Sequence, residues 1–224
     1  MKKIVMSLGG SVIIPNEIDY NYLKKFKKMI NRISKKNKIV IVCGGGKTAR
    51  KYIDPLLKEH AGSKAYAMIG IAATRINARL VRGFLGITER IPENMRAVKS
   101  DLKKDNLVVC GALGMKKGMT SDGNAVEIAS EINADFFVNI TDVHGLYNKD
   151  PHIKGAKLIK EINYDDFLDM INKIKFKAGQ HFILDQASAK LIKKNKIKTL
   201  IVSKELKNLG KVLKGKKFKG TVIG

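Results

Sequence analysis

Lys38-Ile39-Val40-Ile41-Val42-Cys43-Gly44-Gly45-Gly46-Lys47-Thr48-Ala49-Arg50-Lys51-Tyr52-Ile53 is the stretch from which the fold is read. After Lys38, residues 39–43 form an apolar run, β-branched but for Cys43, of the kind buried on both faces of a sheet. Three glycines end that run, and residues 47–59 then carry apolar side chains at helical spacing. Strand, glycine turn and helix in that order make one unit of a parallel sheet covered by helices.

The same grammar extends outward in both directions. Residues 2–8 are a β-like run closed by Gly9-Gly10-Ser11, and Asp19 suits the N-cap of a helix reaching about Lys35, with Tyr22, Leu23, Phe26, Met29, Ile30 and Ile33 at three- and four-residue spacing. Downstream, residues 62–85 are helical in pattern, 107–110 form a strand, and Asp122 suits the cap of a helix to Asn133. Residues 135–141 read as a strand, 142–151 as turns, 164–173 and 184–195 as helices, and 199–203 and 220–223 as strands. The Lys-rich tail from Lys207 to Lys219 reads as a solvated face. No linker, repeat or low-complexity block divides the 224 residues, so a single α/β domain over 1–224 is expected.

Composition removes several classes of function. No window approaches the roughly 18 consecutive apolar residues of a membrane span. The N-terminal apolar stretch is too short for a signal peptide, so an intracellular, cytoplasmic protein is expected. The cysteines, Cys43 and Cys110, each end a Val-rich run and read as small buried hydrophobes rather than a disulfide or zinc site. Forty-four Lys and Arg against 20 Asp and Glu give a charge of +24, a field that draws polyanions and phosphorylated small molecules alike. Lys dominance of this kind is expected of coding bias or a hot habitat. With no Trp, and with Phe and Tyr scattered along the chain, the sequence lacks the interleaved aromatics of single-strand readers and does not read as a nucleic-acid binder.

The chemistry is expected beyond the carboxyl ends of the strands, where ligands of open parallel sheets bind. Three of those ends carry glycine loops: Gly9-Gly10-Ser11, Gly44-Gly45-Gly46 and the stretch 111–118. Glycine lets backbone N–H groups approach phosphate oxygens, and a following helix turns its positive end to the anion. Lys47 and Arg50, three residues apart, can both reach such a site from one helical turn. Neither a G-x-x-x-x-G-K-[ST] loop nor a G-x-G-x-x-G fingerprint is present, which disfavours a P-loop or a nicotinamide enzyme.

Taken in order, Gly9-Gly10-Ser11, Gly44 to Ile53 and Ile69-Gly70-Ile71-Ala72-Ala73-Thr74-Arg75-Ile76-Asn77-Ala78 resemble the amino acid kinase superfamily, in particular its archaeal-type uridylate kinases. Thr120-Ser121-Asp122, Ala134-Asp135, Thr141-Asp142-Val143-His144-Gly145-Leu146-Tyr147-Asn148-Lys149-Asp150-Pro151, Lys177-Ala178-Gly179, Asp185 and Gly220-Thr221 continue the resemblance over nearly the whole chain. It implies a three-layer αβα sandwich around a mainly parallel sheet, a homo-oligomer (a hexamer), and transfer of the γ-phosphoryl of Mg-ATP to UMP in pyrimidine nucleotide supply. ATP and Mg²⁺ are the implied cofactors, with no dedicated metal ligands in the protein.

By the same resemblance, Ser7, Gly9, Gly10 and Ser11 line the donor phosphates, with Gly46 and Arg50 beside them; Thr141, Asp142, Tyr147 and Asp150 surround the ATP nucleoside. Gly45, Ala67 and the loop residues Ala112, Leu113, Gly114, Met115, Lys116, Lys117, Gly118 and Thr120 face UMP. Lys47, Arg50 and Asp185 are the catalytic candidates. The acceptor phosphate is itself a nucleophile near neutral pH, so no general base is required.

Three positions depart from the pattern. Ser7 stands where the family commonly has a Lys, making Lys47 the candidate replacement cation. Ala67 stands where an Asp would hold the ribose, a loss of about 1.5 to 3 kcal/mol if that bond is gone. His144 stands in place of an Asp and reads either as a surface residue or as a metal ligand or pH-sensitive group. Asp185 either orients a catalytic lysine or caps the helix after it. The loop at 111–122 also looks about two residues longer than the family's usual loop, adding Lys116 and Lys117. These departures keep open another phosphate monoester or CMP as acceptor, and a non-catalytic nucleotide-binding paralogue.

Overall fold

The computed structural model describes residues 1–115, 119–173 and 184–224. Its strands are β1 (Lys2–Leu8), β2 (Asn37–Cys43), β3 (Leu107–Cys110), β4 (Phe136–Thr141), β5 (Glu161–Ile162), β6 (Thr199–Ser203) and β7 (Thr221–Ile223). They form one sheet in the order β3-β2-β1-β4-β6-β7-β5. The first five in that order run parallel; β7 is antiparallel to β6, and β5 runs parallel to β7. The helices are α1 (Gly10–Ile13), α2 (Tyr20–Ser34), α3 (Gly46–Lys58), α4 (Ser63–Leu85), α5 (Met95–Lys104), α6 (Ser121–Glu131), α7 (Tyr164–Lys173), α8 (Gln186–Lys194) and α9 (Leu206–Leu213).

Alternation along the strands splits the core into two. Ile4, Met6, Leu8, Ile39, Ile41, Val138 and Ile140 pack on α2, α4 and α9, while Val5, Val40, Val42, Val108, Phe137 and Ile201 pack on α5, α6, α7 and α8. Both faces being covered, the central strands carry no polar stripe; this is the expected three-layer αβα architecture.

The expected elements are present to within a residue or two at their ends. Asp19 caps α2, its carboxylate accepting from the Tyr22 N–H at 2.9 Å. Two expectations are corrected. The cap of α6 is Thr120, whose hydroxyl accepts from the Asp122 N–H at 3.2 Å, leaving the Asp122 side chain available elsewhere. The tail is not wholly a solvated face, for α9 buries Leu209, Val212 and Leu213 against α2 and β6. The glycine turns follow β1, β2 and β3, three neighbouring strands, so all of them gather at one edge of the sheet.

Candidate functional site

The first two glycine turns are knitted together backbone to backbone. A Cβ added to Gly10 would stand 2.2 Å from the Gly46 nitrogen, and one added to Gly46, whose φ is +56°, would stand 2.4 Å from the Gly10 carbonyl carbon. Glycine is therefore required at both positions by close approach, and at Gly46 by conformation as well. Gly9 N–H donates to the Ile140 carbonyl at 3.1 Å and Gly44 N–H to the Leu8 carbonyl at 2.9 Å, so each turn is tied to the neighbouring strand. Asn77, fully buried on α4, donates to the Gly44 and Gly45 carbonyls at 2.7 and 3.2 Å. These contacts leave the first-turn N–H groups of α3 without intrahelical partners, as at any helix start, and Arg50 stands one turn further in.

A cavity of about 290 Å³ opens between this edge and the third turn. Gly45, Gly46, Ala49 and Arg50 line one side, Ala67, Gly70, Ile71 and Thr74 the floor, and Ala112, Gly114, Met115, Met119, Thr120, Ser121 and Asn124 the other side. The loop after β3 hangs on side chains: Ala112 N–H donates to Thr74 Oγ1 at 2.8 Å, and Leu113 N–H to Asn124 Oδ1 at 2.9 Å. Asn124 in turn donates to the Thr120 carbonyl at 3.1 Å.

Behind Thr120 lie two carboxylates with different environments. Asp185 caps α8 and accepts four hydrogen bonds: from Ser188 N–H and Oγ at 2.7 and 2.8 Å, and from Thr120 N–H and Oγ1 at 3.1 and 2.6 Å. Asp122 accepts a short hydrogen bond from the Ser7 hydroxyl. Burial pushes its pKa up to about 6, Asp185 adds to the rise, and the Ser7 bond opposes it. Ser7 itself is fully buried at the end of β1. The serine that stands in the usual lysine position thus holds a carboxylate at the junction of β1 and α6.

Most of the residues expected from sequence meet around this edge. Arg50, Gly45, Gly46, Ala67, Ala112, Gly114, Met115 and Thr120 line the cavity. Leu113 does not, and packs instead against the core beneath it. Lys47 is outside the lining; its Nζ donates to Asn16 Oδ1 in the connection between α1 and α2. Asp185 is a helix cap that also fixes Thr120. Lys116, Lys117, Gly118 and the Lys177-Ala178-Gly179 segment lie outside the described residues.

On the other flank, Gly9, Gly10 and Ser11 adjoin the end of β4, where Thr141 Oγ1 donates to Asp142 at 3.0 Å. The loop beyond it carries Tyr147, paired with Leu158 in an isolated bridge, and Asp150, which closes a turn by accepting from the His152 N–H at 2.9 Å. Thr221 anchors this loop: its hydroxyl accepts from the Leu146 N–H at 2.8 Å and donates to the Ile159 carbonyl at 2.6 Å. His144 is half-buried, with no hydrogen-bond partner for Nδ1 among the described residues. Cys43 and Cys110 are fully buried, and burial raises both thiols, Cys110 to about 12, so neither is a nucleophile.

Sequence reasoning missed Asp122 as more than a cap, and missed Asn77, Thr74 and Asn124. Thr120-Ser121-Asp122 held the only pointer to the first. Thr74 and Asn77 lie within the 69–78 stretch that carries the resemblance but take no role from it, and they and Asn124 sit on helices whose apolar spacing reads simply as core.

The profile of the amino acid kinase family matches residues 2–203. The chain is 34% identical to the uridylate kinase of Archaeoglobus fulgidus over 223 residues, covering 99% of each protein. The crystal structure of uridylate kinase from that organism superposes with a TM-score of 0.87 over the full length of both chains, at 33% identity. UMP kinase of Bacillus anthracis shares the fold with a TM-score of 0.80, at 22% identity and with 100% and 96% of the two chains covered.

Proposed function

This chain belongs to the amino acid kinase family, and from that premise we propose that it is a uridylate kinase, moving the γ-phosphoryl of ATP onto the phosphate of UMP. The observation that carries this reading is the cavity in which Arg50 faces the loop after β3 across the start of α3. Phosphoryl transfer asks for little covalent chemistry; it asks for in-line placement and for positive charge around the moving group. The knitted turns at Gly9-Gly10-Ser11 and Gly44-Gly45-Gly46 present backbone donors to the ATP phosphates. Arg50 offers a bidentate fork to the phosphates between donor and acceptor. The loop carrying Ala112, Gly114 and Met115 closes over UMP, with Lys116, Lys117 and Gly118 continuing it in sequence.

Thr141, Asp142, Tyr147 and Asp150 take the ATP nucleoside, on the loop that Thr221 anchors. Lys47 supplies charge from the rim, where Asn16 holds it, rather than from within the cavity. Asp185 acts as a positioning residue through Thr120. Mg²⁺ would arrive on the nucleotide, held largely by phosphate oxygens and water. Asp122, beside the β1 turn, is the carboxylate placed to meet such an ion, and Mg²⁺ would neutralise charge on the transferred group.

The reading extends to one domain over residues 1–224 and to a homo-oligomer, a hexamer. Exposed Met68 and Ile76 on α4, with Tyr52 and Leu57 on α3, supply an apolar surface for self-association. A cytoplasmic setting rests on the proposed substrates; no described helix is long and apolar enough to cross a membrane.

Arg50→Ala tests the assignment. A loss of about 100- to 1000-fold in kcat, the range for removing a preorganised charge donor, is expected; an unchanged rate sinks the role given to Arg50. One observation favours a second acceptor. Ala67 gives the cavity floor no carboxylate for a sugar hydroxyl, which favours a phosphate monoester that does not need that contact, such as dUMP or a non-nucleotide; CMP, with the same ribose as UMP, belongs in the same assay as the test of base choice.

A further inference from the structure

The positive charge of this protein is sorted by the sheet. Residues 20–36 and 206–219, which contain α2 and α9, hold 13 Lys and Arg and no Asp or Glu. On the opposite layer the charges are mixed: α5, α6, α7 and α8 hold seven acidic residues (Asp101, Asp122, Glu127, Glu131, Asp165, Asp166 and Asp169) against eight Lys and Arg. A compositional excess of lysine does not by itself segregate the acids, and none of the 13 basic residues takes part in the described ion pairs.

This basic face is concave. A groove between α2 and α9 is lined by Lys25, Arg32, Lys207, Lys211, Lys214 and Lys216, with Met29 and Gly210 among its remaining residues. It adjoins a second groove between α2 and α4, lined by Lys24, Lys27 and Arg79, and Lys28 belongs to both. In the second groove the chain sets together two aromatics far apart in sequence. Tyr20 and Phe84 meet edge to face with ring centroids 5.7 Å apart, and Lys24 Nζ lies 5.8 Å from the Tyr20 ring. Tyr20 stays 57% exposed, so its ring is open to a stacking partner.

We propose that these joined grooves bind single-stranded nucleic acid, with lysines following the phosphates and Tyr20 stacking a base. A basic groove with an accessible aromatic is the recognition chemistry of an unpaired strand; a duplex keeps its base faces stacked on one another. The same face does not suit a bilayer surface, which takes up exposed apolar side chains. The apolar residues of α2 (Leu23, Phe26, Met29, Ile30) and three of those of α9 (Leu209, Val212, Leu213) are buried, and Leu206 is partly buried.

Fluorescence anisotropy with a labelled mixed-sequence 12-mer, single-stranded and then annealed, tests the site in the full-length protein. Lys24→Glu/Lys27→Glu/Lys28→Glu is expected to weaken single-strand binding at least tenfold more than the charge-matched Lys103→Glu/Lys104→Glu/Lys194→Glu on the opposite layer. It should also lower the slope of log K against log salt by about 2, at about 0.7 per phosphate contact. Tyr20→Ala should cost roughly fivefold to a hundredfold, the span for stacking one base, while Tyr20→Phe retains binding. Equal losses from both lysine triplets, an indifferent Tyr20→Ala, equal affinity for the duplex, or no binding at all would overturn the proposal. So would binding to phosphatidylserine vesicles, with the same lysine dependence, in place of the oligonucleotide. Turnover with UMP by the same variants is expected to be unchanged, which keeps this site separate from the kinase reading.

Discussion

The two sides of the cavity are built by different means. The donor side, Gly9 to Ser11 and Gly44 to Gly46, is held by backbone against backbone, with separations that leave no room for a side chain. The acceptor side, the loop after β3, is held by the side chains of Thr74, Asn124, Thr120 and Asp185. Backbone packing of the first kind changes only with the glycines themselves. A loop hung on side chains can be re-hung by single substitutions, which makes it the side on which acceptor choice is set. Two of the three departures from the family pattern bear on this division: Ala67 lies on the acceptor floor, and Ser7 joins the donor strand to Asp122.

Among the changes that separate the two sides, the largest effect is expected on the donor side. Gly10→Ala forces Cβ onto the Gly46 backbone, displacing both turns by enough to cost about 100-fold in kcat/KM and lowering the thermal midpoint. A variant with wild-type turnover would show that the turns are not held as rigidly as the contacts require.

Next comes the carboxylate that joins the two sides. Folding raises the Asp122 pKa to about 6, so the folded protein binds this proton more tightly than the unfolded chain. Its contribution to stability is fully present below about pH 4 and is lost as pH rises through about 6, up to roughly 1–3 kcal/mol. Asp122→Asn should flatten that stretch of the stability curve, measured by urea unfolding at pH 4 to 7, while lowering turnover. Identical pH dependence in wild type and variant would place the titration elsewhere.

Smaller effects belong to the acceptor side. Asn124→Ala frees the Leu113 N–H and the Thr120 carbonyl and should raise the KM for UMP about 30-fold, at about 1 kcal/mol for each of the two lost hydrogen bonds, with the KM for ATP little changed. Equal rises in both constants would dissolve the distinction between the sides. Smallest is Ala67→Asp, expected to lower the KM for UMP about tenfold by giving the ribose a hydrogen-bond acceptor, the low end of the roughly 1.5 to 3 kcal/mol that such a bond is worth. Titration of dUMP against UMP reports whether the gain comes from the sugar hydroxyl.

How legible this was from sequence follows the same division. Gly10 and Gly46 stand out because few residues tolerate such close approach, and the strand ending in Cys43 and the helix from Gly46 follow directly from apolar patterning. Thr74, Asn77 and Asn124 carry no such mark; a polar residue within a helix shows its partner only when the chain is folded. Asp122 read as a cap because its neighbour Thr120 is an equally good one, and only the Ser7 contact distinguishes them. Lysines at 207, 211 and 214 masked α9, although Leu209, Val212 and Leu213 keep helical spacing. In the same way Tyr20 and Phe84 count as scattered aromatics until α2 and α4 pack side by side.

ADP release with Mg-ATP, measured against UMP, CMP, dUMP, AMP and a no-acceptor control, tests the central claim most directly. Saturable release that depends on UMP and outpaces every other acceptor is the predicted result. Release no faster than the control across the panel, from protein that binds ATP or UMP measurably, would contradict it and leave a nucleotide-binding member of the family without kinase turnover.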